Sequence, residues 1–307
     1  LALIFAGSWV GILGARIIDR FGKGIRTAPR DVMVAESSEK GELGRAFGIH
    51  KALDMAGSAI GILLSFFLLK SIGDGGYKAI FALSAIPVVI ALIMFAFVKE
   101  KGASAAPHER ERFWKNFKGL DKNLKLYLLV VFIFTLGNSS NTFLLLKASA
   151  VGFSSTEVIL LYFLYSLTSS LLAIPFGRRS DKAGRKRVLV AGYITFAAVY
   201  AGFAFVSSKP LLIGVFLLYG AYTAMVAGVE RAYISEISPP DIKGTMLGLH
   251  STISGIVLLP ASVIAGALWS ALGAAAPFLF GALLSVTAAL LLIFGLKDKN
   301  TRNQITT

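Results

Sequence analysis

The stretch AESSEKGELGRAFGIH (residues 35–50) returns two hundred positions later as SEISPPDIKGTMLGLH (residues 235–250). Five residue identities recur at this constant offset: Glu36/Glu236, Ser38/Ser238, Gly44/Gly244, Gly48/Gly248 and His50/His250. Each copy separates two long apolar segments, so the offset pairs whole segments as well as single residues. This pattern predicts a chain built from two related halves.

Apolar segments of membrane-spanning length occupy most of the chain. Of its 307 residues 55% are hydrophobic and 16% are charged, and the mean hydropathy is +0.72. Backbone groups inside lipid must be hydrogen-bonded within their own segment, so such runs form helices. We therefore predict an all-α polytopic membrane protein. Its nine spans are expected at residues 9–37, 45–69, 78–98, 126–148, 156–176, 188–206, 210–236, 245–270 and 275–296.

The offset of the repeat also assigns these spans to two bundles. It pairs 9–37 with 210–236, so the spans between 126 and 206 need partners upstream of residue 8. We expect residues 1–7 to end the third helix of a longer chain of twelve. The predicted division is 1–98 for the rest of the first six-helix bundle, 99–125 for a linker, 126–296 for the second bundle and 297–307 for a tail.

The distribution of basic residues predicts the orientation of the chain. Lysine and arginine concentrate in alternate loops, above all in 99–125 and in GRRSDKAGRKR (residues 177–187). Basic loops stay on the cytoplasmic side, so we expect the linker and the C-terminus to be cytoplasmic in a protein integral to the plasma (inner) membrane. The net charge is +14, but the basic residues form no patch on a soluble domain. We therefore expect no nucleic-acid partner.

The sequence contains no pattern that is typical of an enzyme. It has no cysteine, no metal-ligand spacing of histidines, no phosphate-binding loop and no nucleophile motif. We therefore predict no catalytic residue, no metal site and no cofactor. Without a nucleotide site, the energy for any transport is expected to come from a proton or other ion gradient.

Three short motifs resemble those of the major facilitator superfamily of secondary transporters. GRRSDKAGRKR (177–187) matches the cytoplasmic loop signature G-x-x-S-D-[RK]-x-G-[RK]-[RK]. RIIDRFGKG (16–24) resembles the fourth-helix signature, with Arg20 in place of a usual glycine. GIHKALDMAGSAIG (48–61) keeps the glycine spacing of the fifth-helix antiporter motif, but Ile62 stands where proline is usual. The wider pattern looks like a prokaryotic subgroup of drug-efflux-like or uncharacterised permeases.

The resemblance implies two six-helix bundles that alternate access to a central path lined by helices 1, 4, 7 and 10. It also implies a monomer that takes a small-molecule substrate within the lipid bilayer. A cytoplasmic gate would be formed by the loop-motif residues Gly177, Ser180, Asp181, Gly184, Arg185 and Lys186. Asp181 is expected to cap the helix that follows it. Anchoring by positive charge is the simpler interpretation of the basic residues.

Seven charges share one face of the first long segment. At about 100° per residue the following side chains fall within about 140° of each other: Arg16, Asp19, Arg20, Lys23, Arg26, Arg30 and Asp31. Each charge in mid-bilayer costs roughly 2.5–3.5 kcal/mol, so seven facing lipid would cost on the order of 20 kcal/mol. We therefore expect this stripe to line an aqueous cavity, in preference to an amphipathic helix on the membrane surface. Pro29 is expected to kink the helix.

Two interpretations of the stripe remain open. Its arginines can recognise an anionic substrate as bidentate donors. Alternatively, the stripe forms a salt-bridge network of Arg16, Asp19 and Arg20, and of Arg30 and Asp31 with Glu230 and Arg231, which hold the equivalent positions of the repeat. This network would hold the halves together and break as they rock. Glu230 is also the candidate second carboxylate for ion coupling, with Arg231 as its expected charged neighbour.

Other polar residues within the apolar segments carry further expectations. Asp54 is a candidate proton carrier, and the alternative is an ion pair with Lys51 or with a charge on the first helices. Asn138 and Asn141, in LGNSSNTF (136–143), are expected to interrupt the helix and to line the cavity. The alternative for both asparagines is hydrogen bonding between helices. The histidines at 50 and 250 are expected at the membrane interface.

These features favour a secondary active transporter that works by alternating access. The leading hypothesis is proton-coupled efflux of small molecules. The alternatives are uptake or exchange of organic or phosphate anions on the arginine stripe, and a non-transporting membrane sensor or lipid translocator.

Overall fold

The computed structural model describes residues 8–39, 41–72, 76–97 and 120–296. These residues form α-helices, one short 3-10 turn (Pro240–Ile242) and no strand. The helices are α1 (Trp9–Glu36), α2 (Leu43–Ile72), α3 (Gly76–Leu83), α4 (Ala85–Phe95), α5 (Lys122–Gly137), α6 (Thr142–Ala150), α7 (Ser155–Ala183), α8 (Arg185–Phe205), α9 (Lys209–Ile237), α10 (Lys243–Leu272) and α11 (Ala276–Gly295). Most of the predicted linker and all of the predicted tail lie outside the described residues.

Every predicted span coincides with a helix or with two consecutive helices. Seven helical segments of the described chain are long and apolar enough to cross a membrane. Helix α1 is not among them, because of its charges, and the span predicted at 78–98 is divided into α3 and α4 at Ser84. Helix α1 continues across Pro29, and the kink expected there stays a prediction.

The predicted loop at 177–187 is mostly helical. Helix α7 runs to Ala183 and α8 begins at Arg185, so one residue, Gly184, connects them. Gly184 has a φ of +95°, which an L-residue with a side chain rarely adopts. The prediction that this helix ends at residue 176, where the hydropathy falls, was therefore wrong. A helix needs only paired backbone groups, so it can continue beyond the membrane into water.

Contacts divide the chain into two compact units. One comprises residues 1–27 and 63–120, and the other comprises residues 28–62 and 121–307. Among the described helices, α3 and α4 belong to the first unit and α5–α11 to the second. The predicted bundle boundaries, which assign 28–62 to the first bundle, are not tested by this division and stay a prediction.

Aromatic and small residues build the core of the second unit. Phe134 stacks on Tyr193 with ring centroids 4.0 Å apart, and Phe196 stacks on Tyr200 at 3.9 Å. Between helices in lipid, close packing supplies the stability that water exclusion supplies in soluble proteins. The outer helix faces instead expose large apolar side chains, among them Leu171, Phe205, Leu211, Leu259 and Phe294.

Candidate functional site

A buried carboxylate joins α1 to α9. Asp31 is fully buried, and its Oδ1 accepts hydrogen bonds from Arg30 Nε at 3.1 Å and Nη2 at 2.9 Å. Arg231 Nε lies 3.1 Å from the other oxygen, Oδ2. A buried charge needs such compensation. Residues 31 and 231 hold the same position in the two copies of the repeat, with opposite charges.

The second carboxylate, Glu230, has different neighbours. The Tyr193 hydroxyl on α8 donates to Glu230 Oε1 at 2.8 Å, and His250 Nε2 on α10 lies 3.5 Å from Oε2. The Tyr127 hydroxyl on α5 donates to the backbone carbonyl of Glu230 at 3.1 Å. The expectation that Arg231 is the charged neighbour of Glu230 is wrong, because among the described residues Arg231 pairs with Asp31 and Glu230 contacts His250. The His250 side chain is buried within the protein, and the interfacial depth expected for it stays a prediction.

Helix α2 contributes further charged residues near Asp31. Lys51 Nζ lies 3.3 Å from Asp54 Oδ2, which is the ion pair expected as the alternative to a proton carrier. Asp54 is 55% exposed and Lys51 14%. His50 has Arg30 and Arg231 among its charged neighbours, and its buried Nδ1 has no hydrogen-bond partner among the described residues. A proton-carrying role of Asp54 stays a prediction.

The remaining members of the predicted stripe lie earlier on α1. Arg26 is exposed. The structure places four others on the helix but their side chains lie outside its described part: Arg16, Asp19, Arg20 and Lys23. The common face expected for all seven charges therefore stays a prediction, whereas the ion pair at its end is found.

The two asparagines stand at the break between α5 and α6, as the sequence predicted. Asn138 Nδ2 donates to the Tyr222 hydroxyl at 3.1 Å. Asn141 Nδ2 donates to the Tyr162 hydroxyl at 3.2 Å and its Oδ1 accepts from the Tyr219 hydroxyl at 2.8 Å. Both asparagines therefore bond other helices, which was the alternative interpretation. Sequence reasoning missed these tyrosine partners, although their positions on α7 and α9 lie within apolar segments where a hydroxyl needs a partner.

The loop motif joins α7 to α2. Asp181 Oδ1 accepts from the backbone N–H of Gly44 and Oδ2 from that of Arg45, both at 2.8 Å. Asp181 thus caps α2, and the expectation that it caps the following helix is wrong. Since the connection to α8 is a single residue, Asp181 still belongs to α7 and its side chain projects sideways to a neighbouring helix.

Other motif residues support this contact. Arg185 is buried between Asp181, at 2.6 Å, and Glu236, at 2.7 Å. Anchoring of a loop by its positive charge would not require these contacts. The Ser180 hydroxyl donates to the Gly177 carbonyl at 2.7 Å. A Cβ on Gly177 would collide with the backbone carbonyl of Gly44. Lys186 Nζ donates to the Leu296 carbonyl at the end of α11 at 2.5 Å.

The helices of membrane length, their apolar outer faces and their buried ion pairs define an integral membrane protein with a polar interior. The model of the Major Facilitator Superfamily matches residues 1–146 and 126–307, which together span the chain. The chain belongs to this superfamily, whose members are transporters and not enzymes.

Relatives and solved structures agree with that assignment. The chain is 40% identical over 300 residues to an uncharacterised MFS-type transporter of Methanocaldococcus jannaschii, covering 96% of this chain and 74% of that protein. It is 32% identical over 183 residues to a multi-drug resistance efflux pump PmrA homolog of Lactococcus lactis, covering 56% and 44%. The crystal structure of the human organic anion transporter MFSD10 superposes with a TM-score of 0.65 at 18% identity, covering 95% and 73%, which shows the shared fold.

Proposed function

We propose that this protein is a secondary active transporter that exports small molecules in exchange for protons. Its membership of a transporter superfamily supports transport, and its similarity to an efflux pump homolog supports export. The proposal includes alternating access by two six-helix halves, with the linker and C-terminus in the cytoplasm. A proton gradient supplies the energy, and the protein acts as a monomer without a cofactor.

The surroundings of Glu230 carry the coupling part of this proposal. Among the described residues, no arginine or lysine is paired with Glu230, whose side chain is 12% exposed. Its partners are a phenol and an imidazole, which do not bear a permanent charge. Proton binding by Glu230 therefore breaks no ion pair with a permanent cation. Carboxyl groups within membrane helices are typical of proton pathways.

Asp31 is the less suitable of the two carboxylates. Neutralising it would leave Arg30 and Arg231 facing each other around a buried site without a counter-charge. Such a loss is costly because both partners have already been withdrawn from water. We therefore assign Asp31 to the ion pair that joins α1 and α9, and Glu230 to the proton.

Glu230 connects three helices, so its protonation can change how they are held. An ionised carboxylate only accepts hydrogen bonds, as it does from Tyr193, whereas a protonated carboxyl also donates one. Proton binding also removes the charge that attracts His250. The contacts of α9 with α8 and α10 would thus differ between the two states, which links proton binding to helix movement.

The test is dye export by the full-length protein in proteoliposomes under a pH gradient, with the dye and the proton flux followed together. We expect export of at least one dye from a panel of lipophilic cationic and anionic dyes to consume the gradient, and Glu230→Gln to export that dye no faster than protein-free liposomes. Glu157→Gln is the matched control, because Glu157 pairs with Lys209 on the α7–α9 surface. Export that leaves the gradient intact, or an unaffected Glu230→Gln variant, would contradict the proposal.

A further inference from the structure

Four basic residues lie around Asp31, and we call them the basic cluster: Arg30, His50, Lys51 and Arg231. Among the described residues, the carboxylates paired with it are Asp31, which two arginines share, and Asp54. Three permanent positive charges therefore face two negative ones. The surplus lies next to a fully buried group, where charge is weakly screened.

The hydrogen-bond donors of Arg231 point to a missing acceptor. Its Nε lies 3.1 Å from Asp31 Oδ2, yet that oxygen accepts no aligned hydrogen bond among the described residues, so the two groups attract each other by charge alone. A guanidinium carries five N–H donors in a fixed fork. The side chain is only 23% exposed, so water has restricted access to these donors. An anion that accepts from these donors would replace their limited contact with water by charge-assisted hydrogen bonds.

Lys51 and His50 add two more incompletely satisfied groups. Lys51 is 14% exposed, and its carboxylate partner, at 3.3 Å, is itself mostly exposed to solvent. The Nδ1 atom of His50 is buried and unpartnered within the described part of the chain. Arg30 and Arg231 are among the charged neighbours of both residues. His50 and Lys51 on α2 and Arg231 on α9 are thus close enough to influence each other electrostatically.

We propose that the basic cluster binds a single oxyanion, the carboxylate or phosphate group of a small organic molecule. The guanidinium of Arg231 suits two parallel hydrogen bonds to such a group, and Lys51 supplies a point charge. The bound anion neutralises the surplus charge and accepts from the open donors. As a statement about the substrate, this inference rests on the proposed transport function, which it narrows to molecules with an acidic group.

The test measures binding by titration calorimetry on the full-length protein in nanodiscs of zwitterionic lipid. Benzoate and inorganic phosphate are the probes, and benzamide is the neutral counterpart of benzoate. We expect benzoate to bind and benzamide not to bind. Arg231→Gln and Lys51→Gln should each weaken benzoate binding by about tenfold or more, and Arg231→Lys by less, because it keeps the charge and loses the fork. Lys51→Gln leaves both ion pairs of Asp31 in place, so weaker benzoate binding by this variant cannot be attributed to the loss of those pairs.

Lys209→Gln is the matched control, since it removes one positive charge on the same helix as Arg231, roughly 33 Å away at 1.5 Å per residue. We expect it to bind benzoate as the parent does. Equal binding of benzoate and benzamide, or equal losses in Lys209→Gln and Arg231→Gln, would overturn the inference. A second set of nanodiscs with phosphatidylglycerol separates the two sources of the oxyanion: competition with benzoate there assigns the site to a lipid phosphate, and its absence assigns it to a solute.

The two proposals fail separately. Gradient-consuming dye export by a protein that binds no oxyanion overturns the basic cluster as a site and leaves the proposed function intact. Oxyanion binding without gradient-driven flux overturns the proposed function and leaves the site intact.

Discussion

At the scale of single residues, Asp31 is held in place by charges from two helices. Removing its charge in Asp31→Asn leaves Arg30 and Arg231 without a counter-ion in a buried place. Breaking a buried ion pair costs about 3–5 kcal/mol, and the partial exposure of both arginines reduces the expected loss in unfolding free energy to about 2–3 kcal/mol. Unfolding in mixed detergent micelles measures this loss.

The matched control for that prediction is Glu42→Gln. Glu42 pairs with Arg45 at 2.8 Å, and both side chains are more than two-fifths exposed. Pairs of this kind contribute about 0–1 kcal/mol. Similar losses in the two variants would mean that burial adds nothing to the Asp31 pair.

At the scale of helices, Asp181 stabilises the start of a helix that is 137 residues away in sequence. Asp181→Ala should leave the first N–H groups of α2 without an acceptor, at a cost of about 0.5–2 kcal/mol for the cap. Hydrogen exchange should therefore become faster at Gly44 and Arg45. Ser154→Ala is the control, because Ser154 caps its own helix, α7, in a capping box with Glu157. Unchanged exchange in α2 of Asp181→Ala would show that the cap is dispensable.

The helices themselves were largely predictable, because runs of apolar residues reveal membrane spans directly. Their ends were less so: the predicted span 156–176 corresponds to Ser155–Ala183, since a helix extends beyond the hydrocarbon without any change in apolar character. The break at residues 138–141 was predictable for the opposite reason. Asparagine and serine side chains compete for backbone hydrogen bonds and favour turns over helix interiors.

The candidate site was predictable in its members and only partly in its pairs: the contacts of Asp31 with Arg30 and Arg231 were among the expected ones, and those of Glu230 were not. Asp31, Glu230 and Arg231 stand out as charges within helices of a membrane protein. Glu230 and Arg231 have their partners on other helices, so sequence spacing on one helix misassigned Arg231 to Glu230. The repeat supplied one usable signal, because it gave Asp31 and Arg231 equivalent positions with opposite charges, and these two residues are in contact.

At the scale of the whole molecule, the orientation of the chain depends on the positive-inside rule alone. Basic residues are dense in the last turns of α7 and the first turn of α8 (residues 178–187), whereas the α6–α7 connection, Val151–Ser154, carries none. Because α7 has the length of a membrane span, its two ends are expected on opposite sides of the bilayer. We therefore predict that Lys182 is cytoplasmic and that Ser155 is on the other side.

The absence of cysteine from these 307 residues makes this orientation directly measurable. Lys182 and Ser155 are both exposed, so Lys182→Cys and Ser155→Cys place one reactive thiol at each end of the same helix. A membrane-impermeant maleimide should label Ser155→Cys in intact cells and Lys182→Cys in inverted vesicles, with the parent protein as the background control. The reverse pattern would place the linker and C-terminus outside.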